Sequence, residues 1–191
     1  MITRLTIAAA AAFAIVLPMA SADAQTTMTR NEIVNSLFQT EGTVARLDPI
    51  ALEREAAVRA ASGGDNATGP LSDNFRRLPQ ISIEINFDRG SARIMPRSYH
   101  AVGLIADAIH TPYLMGQRLV VVGHTDATGG RELNLRLSKE RAASVMNALT
   151  TTFNVPPSQM VAIGLGEEQL QDPGNPNAAI NRRVQIINLG Q

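Results

Sequence analysis

Among its 191 residues the chain has no cysteine. No disulfide can staple the fold, so stability has to come from a packed core. For the same reason no lipid-modified cysteine is expected as a membrane tether. Net charge is missing too, with 17 Lys and Arg balancing 17 Asp and Glu. A neutral chain has no overall field to gather nucleic acid or an anionic bilayer, so a charged ligand must be met by a local constellation, and nucleic acid is not an expected partner. Beyond the N-terminus there is no long apolar run, nor a series of the alternating strands of roughly 10 residues that build an outer-membrane barrel. The mature chain is therefore expected to be soluble, with no transmembrane segment. The three histidines, His100, His110 and His124, stand at no metal-motif spacing, and no serine sits in a nucleophile elbow. His124 and Asp126 lie close enough to suggest an acid–base or metal site. The alternative, a packed loop histidine in a non-enzymatic protein without a cofactor, fits the missing partners better.

Residues 1–24 read as a secretory signal. Arg4 precedes a largely apolar run at residues 5–17, and the stretch ends in the small-residue pattern Ala22-Asp23-Ala24. The run falls short of the roughly 20 residues that a spanning helix needs. Cleavage is expected before Gln25, with export to the periplasm, and it removes Arg4 and Asp23 together, so the mature chain stays neutral.

Residues 25–80 form an N-terminal extension and linker, expected to be weakly helical or disordered. Helical signals occur at residues 29–38 and 49–61, the second with Asp48 as N-cap and Pro49 at the first helical position. The polar, glycine-rich run at residues 62–70 reads as a linker. Too few apolar residues are present here to close a separate core.

From residue 81 to the end the pattern is that of one domain. Ile81, Ile83, Ile85 and Phe87 alternate with polar residues, as in a half-buried strand. Pro96 opens a helix with Tyr99, Val102, Ile105, Ala106 and Ile109 on one face. Further strands are expected at residues 119–122, 160–163 and 182–189. The last has Val184 and Ile186 on one face and Ile187 and Leu189 on the other, so part of the extension is a candidate cover for the second face. A polar loop is expected from His124 to about Leu137. Ser138 would then cap a helix carrying Ala142, Val145, Met146, Leu149 and Phe153. The expected fold class is α+β, a βαβαβ-type two-layer sandwich whose small mixed sheet has its helices on one face.

The most informative stretch is Gly123-His124-Thr125-Asp126-Ala127-Thr128-Gly129, followed by Asn134, Leu137-Ser138 and Arg141-Ala142. With Ser138 as N-cap, Arg141 falls in the first helical turn. There it faces the positive end of the helix dipole, at a cost of about 0.3 to 1 kcal/mol. An anionic ligand is one candidate to hold it there, since helix starts offer free N–H groups and arginine a bidentate fork. Asp126 beside Arg141 would present one acceptor-only and one donor-only group, complementary to a zwitterion such as the side-chain end of meso-diaminopimelate. The plainer alternative is that the two pair with each other across the loop.

Residues 81–189 resemble the OmpA-like domain, also found in peptidoglycan-associated lipoproteins and flagellar motor stator proteins. Besides the stretch above, the matching features are Phe87-Asp88 with Ser91-Ala92, Gly164 with Gly166-Glu167, and Asn181-Arg182-Arg183-Val184. The chain departs from the family pattern after Glu167, where Glu168-Gln169-Leu170 stands in place of a proline, and at Arg89-Gly90. The resemblance implies that Asp126 and Arg141 hold the diaminopimelate of the peptidoglycan stem peptide, that Asn134 and Arg182 line the pocket, and that Asp88 and Thr128 form its rim. Asn134 as a loop brace and Arg182 as a solvated charge remain open alternatives. Arg183 is expected to point away from Arg182. The implied function is non-catalytic binding of peptidoglycan, anchoring the protein to the cell wall in the periplasm or at the outer membrane. A scaffold whose residues 25–80 recruit an envelope protein partner is the alternative.

Overall fold

The computed structural model describes residues 28–38, 47–63, 71 and 77–191. The expected signal at residues 1–24 and most of the expected linker lie outside them.

Two helices precede the sheet. α1, Arg30–Leu37, starts at a capping box in which Thr29 Oγ1 accepts from the Glu32 amide while the Glu32 carboxylate accepts from the Thr29 amide. α2, Pro49–Ala61, starts as its sequence predicts, with the Asp48 carboxylate accepting from the Ile50 amide at 2.9 Å and Pro49 in the first turn. The sheet strands are β1, Gln80–Ile83; β2, Leu119–Gly123; β3, Met160–Gly164; and β4, Val184–Asn188. Between them run α3, Tyr99–Ile109, and α4, Arg131–Thr151.

The sheet order is β1-β4-β2-β3. β4 is antiparallel to both β1 and β2, and β2 is parallel to β3 across the α4 crossover. The fold is thus α+β with a mixed four-stranded sheet. Strand alternation divides the apolar side chains between two cores. Ile81, Leu119, Val121, Val184 and Ile186 pack with α1, α3 and α4, whereas Val120, Val122, Ile163 and Ile187 pack with Leu52 and Ala56 of α2. Each fully buried aliphatic side chain contributes about 1.5 to 3 kcal/mol, so the second face of the sheet needs the cover that α2 supplies. α1 is pinned at its end by Asn188, whose amide donates to the Leu37 carbonyl at 2.8 Å.

Three local expectations need correction. The first strand leaves the ladder at Ile83, although the alternation continues to a single bridge between Phe87 and Ile94. Tyr99, expected on the buried face of α3, is exposed, because a 3-10 turn at Pro96–Ser98 precedes it and shifts the buried stripe to begin at Val102. The largest difference concerns α4. It begins at Arg131 with Gly130 as N-cap, so Ser138 is not a cap but a fully buried residue within the helix. Its hydroxyl donates to the Leu135 carbonyl and accepts from the Gly166 amide. The reason is close packing on glycine: a Cβ at Gly123 or Gly164 would overlap the backbone of Ser138 or Lys139, so α4 sits directly on the ends of β2 and β3.

Candidate functional site

Earlier initiation of α4 changes the setting of Arg141. It lies near the middle of the helix, not in its first turn, so neither the dipole cost nor the free N–H groups of a helix start act on it. Other contacts hold it. Its Nε donates to the Ser91 carbonyl at 3.1 Å, and its guanidinium lies over the Phe87 ring, 5.0 Å from the centroid. The irregular segment after β1 is therefore the cradle of Arg141. Its Nη1 and Nη2 bond to no described residue.

Asp126 follows β2 by three residues in a loop tied on several sides. The Thr125 amide donates to the Gly166 carbonyl, and the Ala127 amide to the Pro176 carbonyl. The Thr128 amide donates back to Asp126 Oδ1 at 3.1 Å. The expected alternative of a closed Asp126–Arg141 pair is not what forms. Asp126 Oδ2 instead accepts from Arg182 Nη1 at 2.7 Å. Arg182 stands at the end of a short 3-10 turn, before β4 begins, with its side chain half exposed.

The electrostatics of the three groups are coupled. Burial raises the Asp126 carboxyl, but the Arg182 pair and the Thr128 hydrogen bonds outweigh it and hold the group below its ordinary value. Burial and the Arg182 charge lower the Arg141 guanidinium, while the nearby Asp126 charge favours its cationic form. Among the described residues one carboxylate thus stands with two guanidinium groups, which leaves one cation in surplus and favours an incoming carboxylate. Asp126 is nearly buried, and with these bonds made its carboxylate still has accepting capacity left.

The remaining predicted residues fall into two groups. Asn134 is buried in the first turn of α4, and its amide donates to the carbonyls of Asp126 and Thr128 and, at 2.5 Å, to Glu167 Oε2. That geometry is the loop-bracing alternative. Thr128 is exposed beside the carboxylate it supports. Asp88, by contrast, is ion-paired with Arg93 within the segment that cradles Arg141. Arg183 does diverge from Arg182: it is buried and donates to the Gln169 carbonyl at 3.1 Å. His124 is a packed residue, 1 % exposed, with Nε2 2.6 Å from Gln185 Oε1. Burial and the Arg183 charge push its pKa well below the ordinary histidine value, although the Gln185 contact opposes them.

Sequence reasoning missed the supports behind the site. Arg131 pairs with Glu168 at 2.5 Å and approaches Glu167, fixing the loop that Asn134 grips. Asn181, fully buried, donates to the carbonyls of Asp172, Asn175 and Pro176 and so shapes the loop that receives the Ala127 amide. One sequence signal was available: Asn134, Ser138, Ala142, Val145 and Leu149 follow one another at steps of three and four, all buried on one stripe. The first two are polar, so a search for apolar periodicity stops short of them.

Comparison with known proteins agrees with this architecture. A model of the OmpA family matches residues 86–184. The probable lipoprotein YiaD of Escherichia coli is 33% identical over 141 residues, covering 70% of this chain and 56% of that protein. The chain thus spans little more than half the length of this relative. The peptidoglycan-associated lipoprotein of Pseudomonas aeruginosa is 30% identical over 148 residues, covering 76% of this chain and 80% of that protein. Among solved structures, the periplasmic domain of Helicobacter pylori MotB superposes with a TM-score of 0.51 at 22% identity, over 59% of this chain and 76% of that one, a likeness of fold. With the family match extending over more than half of its residues, the chain belongs to the OmpA family.

Proposed function

We propose that the protein binds peptidoglycan non-catalytically in the periplasm, gripping the diaminopimelate end of the stem peptide between Asp126 and Arg141. The observation that carries this reading is the surplus cation. Arg141 is held by its Nε and its stacked face, which leaves the two terminal nitrogens for a carboxylate, while Asp126 keeps accepting capacity for the neighbouring ammonium. Support also comes from the relative named as a peptidoglycan-associated lipoprotein, which the chain matches over most of its length. Arg182 holds the Asp126 carboxylate in place, and Asn134 fixes the loop under it, so both act by positioning.

Export follows from the N-terminal signal, with cleavage before Gln25. The wall assignment is tested by sedimentation with purified sacculi. Asp126→Ala and Arg141→Ala are each expected to lose binding by at least about 2 kcal/mol, the low end for truncating one partner of a desolvated charge contact, while keeping a cooperative thermal transition. Unchanged co-sedimentation of both variants overturns the assignment.

A further inference from the structure

Arg182 belongs to two sites. Besides holding Asp126, it borders a groove of about 460 Å³ between α1, α3 and the edge strand β1, with apolar walls from Met28, Ile33, Ile83 and Leu104. That volume falls in the range of small-ligand sites. Among the described residues the groove's ionisable lining is lopsided: Arg97, Arg182 and Arg183 stand against Glu84 alone, with His100 beside them. Arg97 spends one terminal nitrogen on the Asn86 side chain at 3.0 Å. Arg183 is the more unusual of the three. It is 7 % exposed, donates only to backbone carbonyls, pairs with no described carboxylate, and its Nε has no hydrogen-bond partner. Burial lowers its pKa to about 10, so it stays cationic at neutral pH. A buried charge without a counter-ion is costly, and an anion arriving in the groove would relieve it.

We propose that this groove seats the residue that precedes the diamino acid in the stem and reads its carboxylate through Arg97 and Arg183. The inference rests on the Asp126–Arg141 reading and extends it. Arg182 is shared by the two sites, so a ligand whose zwitterionic end sits at Asp126 can extend past Arg182 into the groove. In such stems the preceding residue is a glutamate joined through its γ-carboxyl. Its α-carboxyl is either free or amidated, and only the free form supplies the missing anion. The protein therefore discriminates between amidated and unamidated stems. Met28 and Ile33 come from the N-terminal extension, which gives α1 a part in the specificity.

Calorimetric titration of the mature chain separates the two claims. The ligands are free meso-diaminopimelate, L-Ala-γ-D-Glu-meso-diaminopimelate, and the same tripeptide with D-isoglutamine. The carboxylate tripeptide is expected to bind about tenfold more tightly than its amide. In Arg97→Gln, an exposed position that spares the fold, and in Arg183→Gln, the gap shrinks to under about threefold, while free diaminopimelate binds as before. Equal affinity of the unaltered protein for both tripeptides, with free diaminopimelate still bound, overturns the groove assignment alone. Failure of free diaminopimelate to bind overturns the Asp126–Arg141 reading on which it rests.

Discussion

The loops after β2 and β3 lie side by side at one end of the sheet, and each carries an acidic residue paired with an arginine, yet their electrostatics run in opposite directions. Asp126 meets a half-exposed Arg182, with Arg141 in excess nearby, and its carboxyl is held low. The Glu168 side chain is 2% exposed, one of its oxygens has no partner, and burial raises its carboxyl despite the Arg131 bond and charge. The same chemical pairing serves two ends. Where the acid is sealed, the pair is structural and strained by desolvation; where its arginine reaches solvent and a second cation stands by, the acid remains available to a ligand. Asn134 joins the two, bonded to Glu167 on one side and to the Asp126 loop on the other.

Removing each link tests this contrast. Arg131→Ala strands the sealed glutamate and is expected to cost about 3 kcal/mol at neutral pH, read as a lower denaturation midpoint, with wall binding by the folded fraction retained. Loss of binding without loss of stability would break the division between the two loops. Asn134→Ala leaves buried acceptors unsatisfied on both sides and is expected to cost about 2 kcal/mol of stability. It should also weaken sacculus binding, because the Asp126 loop loses its brace. Arg182→Ala removes a half-exposed ion pair, so the stability change should stay under about 1 kcal/mol. A larger drop in chemical denaturation would mean that Asp126 depends on this pair as Glu168 depends on Arg131.

The subtlest contrast is in pH dependence. Asp126 has a depressed folded pKa, so its contribution to stability is fully present above the unfolded value and is lost as pH falls through the folded one. Glu168 has a raised folded pKa, so its ionised form costs stability at neutral pH, and that cost is relieved as pH falls through the folded value toward the unfolded one. Relative to the unaltered protein, Glu168→Gln should therefore lose ground on acidification from about pH 7 to 4, whereas Asp126→Asn should gain ground only below about pH 4. Parallel titration curves for the two variants would remove the distinction.

Much of the framework was legible from local patterns. Alternation placed β1 and β4 and assigned their faces, and Asp48-Pro49 marked the start of α2, because capping and strand periodicity are set by neighbouring residues. Asp126 and Arg141 were legible as a pair of interest from motif order. The start of α4 was not, since Gly130 makes no side-chain cap and the buried stripe opens with Asn134 and Ser138. Those two positions are buried because β2 and β3 end in glycine beneath them, a contact between residues far apart in the chain.

By itself the sequence determined the α+β class, the family, and the presence of one acid and one guanidinium at the end of a strand and on the following helix. Only the tertiary structure decided that Asp126 turns to Arg182, that Ser91 and Phe87 hold Arg141, and that α2 closes the second face of the sheet. The physical reason is range. Capping, alternation and turn preference act over a few residues, whereas the choice of counter-ion and the burial of a charge depend on which distant segments the sheet order brings together.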